Sequence, residues 1–204
     1  MINKKTLYKL LVITFVLPNL FSCTRMLHLR KNLSDDVIMS IKNNKLPINY
    51  MVKSDLVDPI EKASMLLPIN STFKSNIDEY MKNKFSNLTS EQNGYFIIFQ
   101  IKDSVIEQNY NMDLGSAVMG SMLKEKDVVL GQSAFTSRLV INVKLLKDNQ
   151  ILADKEIVSS SNYNLVVKES NRGSYMYEAY QNLLDQNINK SILLIDKYFA
   201  SINI

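Results

Sequence analysis

The sequence predicts an α+β fold: a roughly four-stranded antiparallel or mixed sheet with helices on one face and a long C-terminal helix. Three observations support this prediction. Residues 133–150 alternate apolar and polar side chains, and after the polar turn KDNQ residues 151–167 return as an antiparallel partner strand. Residues 95–110 begin apolar on both sides, which is typical of a central strand. Residues 173–199 carry an apolar stripe at helical spacing.

Shorter elements precede the central strand. Residues 32–45 predict a helix with Ser34 as its N-cap, and Leu33 and Ile38 have the spacing of a hydrophobic staple. Residues 46–52 alternate and predict the first strand of the sheet.

Two further helices are predicted before the central strand. Residues 57–68 predict a helix, because Asp58 suits the cap, Pro59 the first helical position and Pro68 the end. Residues 70–88 predict a second helix from their apolar spacing, with Ser71 near its start as a cap.

The N-terminus has the features of an export signal. Lys4, Lys5 and Lys9 precede an apolar run from Leu10 to Leu17, which is too short to span a membrane. The following residues LFSC, ending at Cys23, resemble the lipobox of bacterial lipoproteins. That resemblance implies cleavage before Cys23 and attachment of lipid to its thiol. We therefore expect a signal peptide at 1–22, a lipidated tether and short helix at 23–45, and a single α+β periplasmic domain at 46–204.

The charge of the chain depends on this division. The whole sequence has 24 Lys and Arg against 20 Asp and Glu, a net charge of +4. Removing the signal takes away three lysines and leaves 21 against 20, a net of +1. A near-neutral domain does not predict nucleic-acid binding. The local excess after Cys23, from Arg25, Arg30 and Lys31, suits either an anionic membrane surface or an exposed tether.

The residues that most enzymes need are scarce. His28 is the single histidine and Cys23 the single cysteine, so histidine-based triads and metal sites are not expected. Two S-x-x-K matches, Ser71–Lys74 and Ser121–Lys124, lack the other elements of penicillin-recognising enzymes. No phosphate-binding loop or dinucleotide fingerprint is present. We expect no catalytic residues, no cofactor and no metal.

Residues 111–132 depart from the strand pattern and combine glycines with methionines. Small residues permit close backbone approach, and methionine side chains adapt to a partner. This segment is a candidate partner-binding loop, although an ordinary connection with a buried turn has the same composition. The candidate contact residues are Leu114, Gly115, Val118, Met119, Gly120 and Met122.

The order of strand, small-residue loop, alternating hairpin and long helix, from Asn70 to Phe199, resembles small periplasmic lipoproteins. It is nearest in pattern to the ABC-type transport auxiliary lipoproteins. The globular domain of curli-secretion channel lipoproteins and a lipopolysaccharide-assembly lipoprotein share similar element orders. The channel proteins carry further membrane-spanning hairpins, which have no matching segments here. None of these families implies catalytic residues.

The resemblance and the lipobox together predict a non-enzymatic lipoprotein that serves an envelope transport or secretion system. Thr24, rather than Asp, after the cysteine resembles proteins sent to the outer membrane, so we expect the domain on its periplasmic side. The expected partners are the membrane, through Cys23, and an envelope protein that meets a sheet edge or residues 111–132. A lipid- or lipopolysaccharide-binding assembly role is the alternative, and a small envelope hydrolase ranks last.

Overall fold

The computed structural model describes residues 25–62, 65–89, 94–112, 128–168, 170 and 174–204. Its strands pair into a main sheet and a smaller one, and its helices pack on the main sheet. The elements are, in chain order, β1 (Arg25–Met26), α1 (Asp35–Ser40), β2 (Ile48–Ser54), β3 (Ile60–Lys62), β4 (Met65–Leu67), α2 (Ile69–Lys84), β5 (Tyr95–Met112), β6 (Val129–Lys147), β7 (Gln150–Lys168) and α3 (Tyr175–Ser201).

The main sheet confirms the predicted α+β class. It has four strands in the order β2-β5-β6-β7, and it is mixed, because β2 runs parallel to β5 whereas the other neighbours are antiparallel. The tight connection between β6 and β7 places Asp148 and Asn149 at φ 49° and 66°. Positive φ at both central residues suits the twist of a two-residue hairpin, and Asp and Asn tolerate it.

All described helices lie on one face of this sheet, as predicted. Side chains of α1, α2 and α3 share one buried cluster with the inward-facing residues of the strands. The apolar side of the alternating stretch 133–150 faces the helices, and each of these residues is at most 3% exposed: Phe135, Leu139, Ile141, Val143 and Leu145. The sheet therefore has one covered face and one open face, as antiparallel sheets commonly do.

The open face carries ion pairs between neighbouring strands. Lys144 meets Asp154 at 3.0 Å and Arg138 meets Asp103 at 2.8 Å. Lys102 pairs with Asp55 just beyond β2, at 3.0 Å. Because these side chains are largely solvated, we expect each pair to contribute little to the stability of the fold.

A second, smaller sheet corrects one prediction. Residues 57–68 were expected to form a helix, but β3 and β4 pair antiparallel there and β1 joins β4 in parallel. The local helix-start signals are outweighed by long-range pairing that buries Leu67 at 2% exposure. The carboxylate of Asp58 instead accepts a hydrogen bond in the first turn of α2, where the Ser71 N–H donates to its Oδ2 at 3.3 Å.

The start of α2 also differs from the expected cap. The helix begins at Ile69 directly after Pro68, so Ser71 lies inside its first turn rather than at the cap position. The Ser71 hydroxyl donates back to the Pro68 carbonyl at 3.2 Å. In α1, Ser34 is the N-cap residue as predicted, but its side chain makes no capping hydrogen bond.

Candidate functional site

The predicted site residues lie outside the described part of the chain. Cys23 precedes Arg25, where the description begins, and the candidate contact residues between Leu114 and Met122 fall within 113–127. Those two predictions remain predictions. What the structure does describe is the segment that directly follows Cys23, residues 25–34, which we call the N-terminal segment. The contacts of this segment determine how far from the membrane a lipid at Cys23 would hold the domain.

The three leucines of the N-terminal segment are buried. Leu27 is 0% exposed and Leu29 is 7% exposed, and both join a cluster with side chains of β6 and α3. The Leu27 N–H also donates to the carbonyl of Leu66 in β4, at 2.9 Å. Leu33 is buried in the neighbouring cluster beneath α2. The chain is thus packed onto the domain four residues after Cys23.

Side chains of α3 bind the backbone of the N-terminal segment. The Arg30 N–H donates to Oδ1 of Asp185 at 2.9 Å, and the Ser34 N–H donates to Oδ1 of Asn189 at 3.0 Å. Asp185 and Asn189 are four residues apart on the helix and therefore present on the same side. Burial raises the pKa of the Asp185 carboxyl, whereas its bond with Arg30 opposes that shift.

Side chains of α2 bind the same segment from the other side. The Leu33 N–H donates to Oε2 of Glu79 at 2.6 Å. The Ser75 hydroxyl donates to the Lys31 carbonyl at 2.9 Å, and the Asn76 amide donates to the Arg30 carbonyl at 3.2 Å. Since extended backbone away from a sheet needs such partners, these bonds fix residues 30–34 between the two helices.

A buried ion pair holds α2 and α3 together farther along. Nζ of Lys84 lies 2.9 Å from Oδ1 of Asp196, and the Tyr80 hydroxyl donates to the same oxygen at 3.0 Å. The residues Lys84 and Tyr80 are 4% and 0% exposed. Burial, with the nearby Asp196 carboxylate, raises the pKa of Tyr80, so its phenol stays protonated and can donate. The two helices that bind the N-terminal segment are therefore also linked to each other.

The described residues offer little for chemistry. His28 is exposed within the N-terminal segment, and Ser71 uses its hydroxyl inside the first turn of α2. Across the described ranges, no three His, Cys, Asp or Glu side chains are arranged to hold a metal ion. None of the helices in this part of the chain combines the length and apolarity needed to cross a bilayer.

Sequence reasoning missed the packing of the N-terminal segment. The signal for it was the alternation Leu27, His28, Leu29, Arg30, which has the period of an extended chain with one buried side. The partners Glu79, Asp185 and Asn189 carried no such signal, because single polar residues on helix surfaces are common.

The chain is similar to known proteins in structure rather than in sequence. No protein-family model matches the chain, and no curated protein matches it. Solved structures similar to it include bacterial lipoproteins. A minor lipoprotein from Acinetobacter baumannii is 9% identical, with a TM-score of 0.41, covering 79% of this chain and 96% of that one.

Two other similar structures are also lipoproteins. Rare lipoprotein B from Shewanella oneidensis is 8% identical, with a TM-score of 0.42, covering 76% of this chain and 99% of that one. An uncharacterized lipoprotein B from Nitrosomonas europaea is 13% identical, with a TM-score of 0.42, covering 85% and 92%. With TM-scores below 0.5, these likenesses carry no information on what this chain binds.

Proposed function

We propose that this chain is a non-enzymatic envelope lipoprotein, anchored by lipid at Cys23, that serves as an accessory or assembly factor for a transport or secretion system. The division that goes with this proposal is a signal at 1–22, a lipidated segment at 23–45 and a periplasmic domain at 46–204. Thr24 supports placement at the outer membrane, facing the periplasm. The non-enzymatic part rests on a sequence with a single histidine and a single cysteine.

The packing of the N-terminal segment carries the proposal. Between Cys23 and the first strand residue, Arg25, about 7 Å of extended chain is available. A lipid at Cys23 would therefore hold the domain directly at the bilayer surface, rather than on a long flexible tether. A domain held at a fixed height suits an assembly factor, because confinement beside a membrane partner raises the effective concentration.

Lipidation is tested by metabolic labelling with palmitate. We expect label on the wild-type chain and none on Cys23→Ala, because that thiol is the attachment point. The matched control is Phe21→Ala, which changes the lipobox but keeps the cysteine and should remain labelled. Equal labelling of the wild type and Cys23→Ala would reject the lipoprotein assignment. Density fractionation of the labelled membranes then assigns the membrane.

The accessory role is tested by cross-linking in intact cells followed by purification of the chain. We expect a component of an envelope transport or secretion system to be recovered with it. Recovery of no envelope protein, from cells in which deletion of the gene has an envelope phenotype, would count against the role.

A lipid- or lipopolysaccharide-binding role is the second candidate. It would require a space between the sheet and the helices, where the described structure has tightly buried side chains such as Phe73, Phe99 and Phe199, each 0% exposed. That packing favours the accessory role. Native mass spectrometry of the purified chain separates the two, because a lipid carrier would retain lipid beyond the mass of its own anchor.

The segment 111–132 remains a proposed contact for the partner. Deleting residues 115–126 should leave a folded chain that no longer recovers the partner, since β5 and β6 are paired as far as Met112 and Gly131, inside both ends of the segment. Loss of soluble, folded protein on deletion would instead show that the segment is part of the core.

A further inference from the structure

A groove runs between the outer edge of β7 and one side of α3. It is lined by consecutive strand residues and by helix residues spaced at three and four, and its volume is about 490 Å³. This size lies within the range of ligand-binding clefts. We call it the edge groove, and it is lined by Lys155, Glu156, Ile157, Val158, Leu194, Lys197, Tyr198 and Ser201.

The strand side of the edge groove offers backbone hydrogen-bonding groups. β7 pairs with β6 on one side, and no strand of the described ranges pairs with its other side. Every second residue along such an edge presents its N–H and C=O outward. An extended peptide can use these groups by adding a strand to the sheet.

The helix side of the edge groove is rigid and partly apolar. Leu194 and Tyr198 are partly buried and pack against the main cluster, while the intervening Ile195 is fully buried. Nζ of Lys190 donates to the Ser160 carbonyl at 2.7 Å, which bridges α3 and β7 and closes one end of the groove. Beyond that bridge, Lys155 and Ile157 of β7 line the same groove as Leu194 and Lys197 of α3.

The charges in the groove are unbalanced. Lys155 and Lys197 are exposed, and neither forms an ion pair within the described ranges. Glu156 alternates to the open face of the sheet, in register with Asn142. The nearby Asp154 is already engaged, since it accepts from Asn142 at 2.6 Å and pairs with Lys144 at 3.0 Å. The groove therefore carries two exposed lysines without an ion-pair partner in the described ranges, one from β7 and one from α3.

We propose that the edge groove binds an extended peptide segment of an envelope protein, which adds a strand to β7. An acidic side chain of this peptide meets Lys155 and Lys197, and an apolar side chain two residues away contacts Leu194 and Tyr198. The spacing of two follows from the alternation of side chains along a strand. This inference rests on the proposed accessory role. It specifies the binding site on this chain and the sequence motif that the partner would carry.

The test uses the full chain purified from membranes in mild detergent. The probe is a fluorescent peptide of sequence Ser-Thr-Glu-Thr-Val-Thr-Ser, and the control peptide carries Lys in place of Glu. We expect the acidic peptide to bind more tightly, and the affinity to fall as salt is raised, because exposed charges are screened. Photo-cross-linking from the Val position should mark residues of 155–158 and 194–201.

Variants of the chain locate the binding. Lys155→Glu with Lys197→Glu should weaken binding of the acidic peptide about tenfold, since two attractions become repulsions. Ser201→Trp, at an exposed position, should block the groove without changing the buried core. The matched control is Lys42→Glu with Lys45→Glu, which reverses two exposed lysines outside the groove and should leave binding unchanged.

Several results would overturn the proposal. They are the absence of peptide binding, equal binding of the Lys peptide, or binding that the groove variants do not alter. A dimer that Ser201→Trp dissociates in sedimentation would show that a second copy of the chain occupies the groove instead. Palmitate label is measured on the same preparations, so a lipidated chain that ignores the peptide rejects the groove and leaves the lipoprotein assignment intact.

Discussion

The main sheet consists of two halves that differ in how they are packed. They meet at the irregularity between Ile101 and Asp103 in β5. The half toward the Asp148–Asn149 turn is covered by α1, α2 and the C-terminal part of α3, and its cluster is built around Phe199. The half toward Met112 is covered by the N-terminal part of α3, the small sheet and the N-terminal segment.

Polar side chains mark the boundary between the halves. Asn187 of α3 is fully buried there, and its amide donates to the Ser137 hydroxyl at 2.9 Å. The Ser159 hydroxyl donates to the Asn187 carbonyl at 3.2 Å. The two apolar clusters are thereby kept separate. Leu27 and Leu29, the buried side chains nearest Cys23, belong to the second half alone, so the proposed lipid anchor would be coupled to folding in that half.

The largest expected effect is at the centre of the first half. The ring of Phe199 lies 6.2 Å from that of Phe99 and 6.4 Å from that of Tyr80, and its side chain is 0% exposed. Phe199→Ala should therefore lower the free energy of unfolding by about 4 kcal/mol in urea denaturation. Tyr175→Ala, at a half-buried ring of the second half, is the control and should cost less. An equal loss at both positions would contradict the comparison.

The buried ion pair gives the next largest effect. Lys84→Ala leaves the Asp196 carboxylate with only the Tyr80 hydroxyl, so the free energy of unfolding should fall by about 3 kcal/mol. Lys144→Ala, which removes a solvated pair on the open face, is the matched control and should cost about 0.5 kcal/mol. Urea denaturation of both variants measures the difference. Similar losses would mean that burial does not strengthen the first pair.

The two halves also differed in how far the sequence predicted them. The strands around Ile141 and the stripe of α3 followed from periodicity, because each pattern repeats over many residues. The wrong helix at 57–68 came from local signals at Asp58 and Pro59, which could not include pairing with distant β1. The edge groove could not be predicted from the sequence either, because it depends on which residues of β7 and α3 face one another across the sheet edge.

Substitution of Leu27 tests whether the stability of the second half depends on the N-terminal segment. Leu27→Ala removes a fully buried side chain four residues from Cys23, and we expect a loss of about 2.5 kcal/mol. Hydrogen exchange should rise first in β4 and the part of β5 around Ile106, which share its cluster. Met26→Ala, at a half-exposed neighbour, is the control. Uniform faster exchange in both halves would show that they unfold as one unit.

The smallest effect concerns the pH dependence of the first half. Burial and the Asp196 carboxylate raise the pKa of Tyr80 above that of an unfolded tyrosine, about 10. The unfolded state therefore releases this proton first, so its contribution to stability is complete below pH 10 and decreases as pH rises above that value. Each such group lowers the free energy of unfolding by about 1.4 kcal/mol per pH unit in this range.

Replacing Tyr80 with Phe isolates its share of this dependence. Denaturation of wild type and Tyr80→Phe between pH 9 and 11 should show a slope that is shallower in the variant, by a difference that grows toward about 1.4 kcal/mol per pH unit at pH 11 as the unfolded tyrosine ionises. Phe85→Leu, which alters the same buried cluster without removing a titratable group, is the control and should keep the wild-type slope. Parallel slopes for wild type and Tyr80→Phe would mean that the Tyr80 hydroxyl does not hold its proton more tightly in the folded chain than in the unfolded chain. In that case Tyr80 would join α2 to α3 by packing alone.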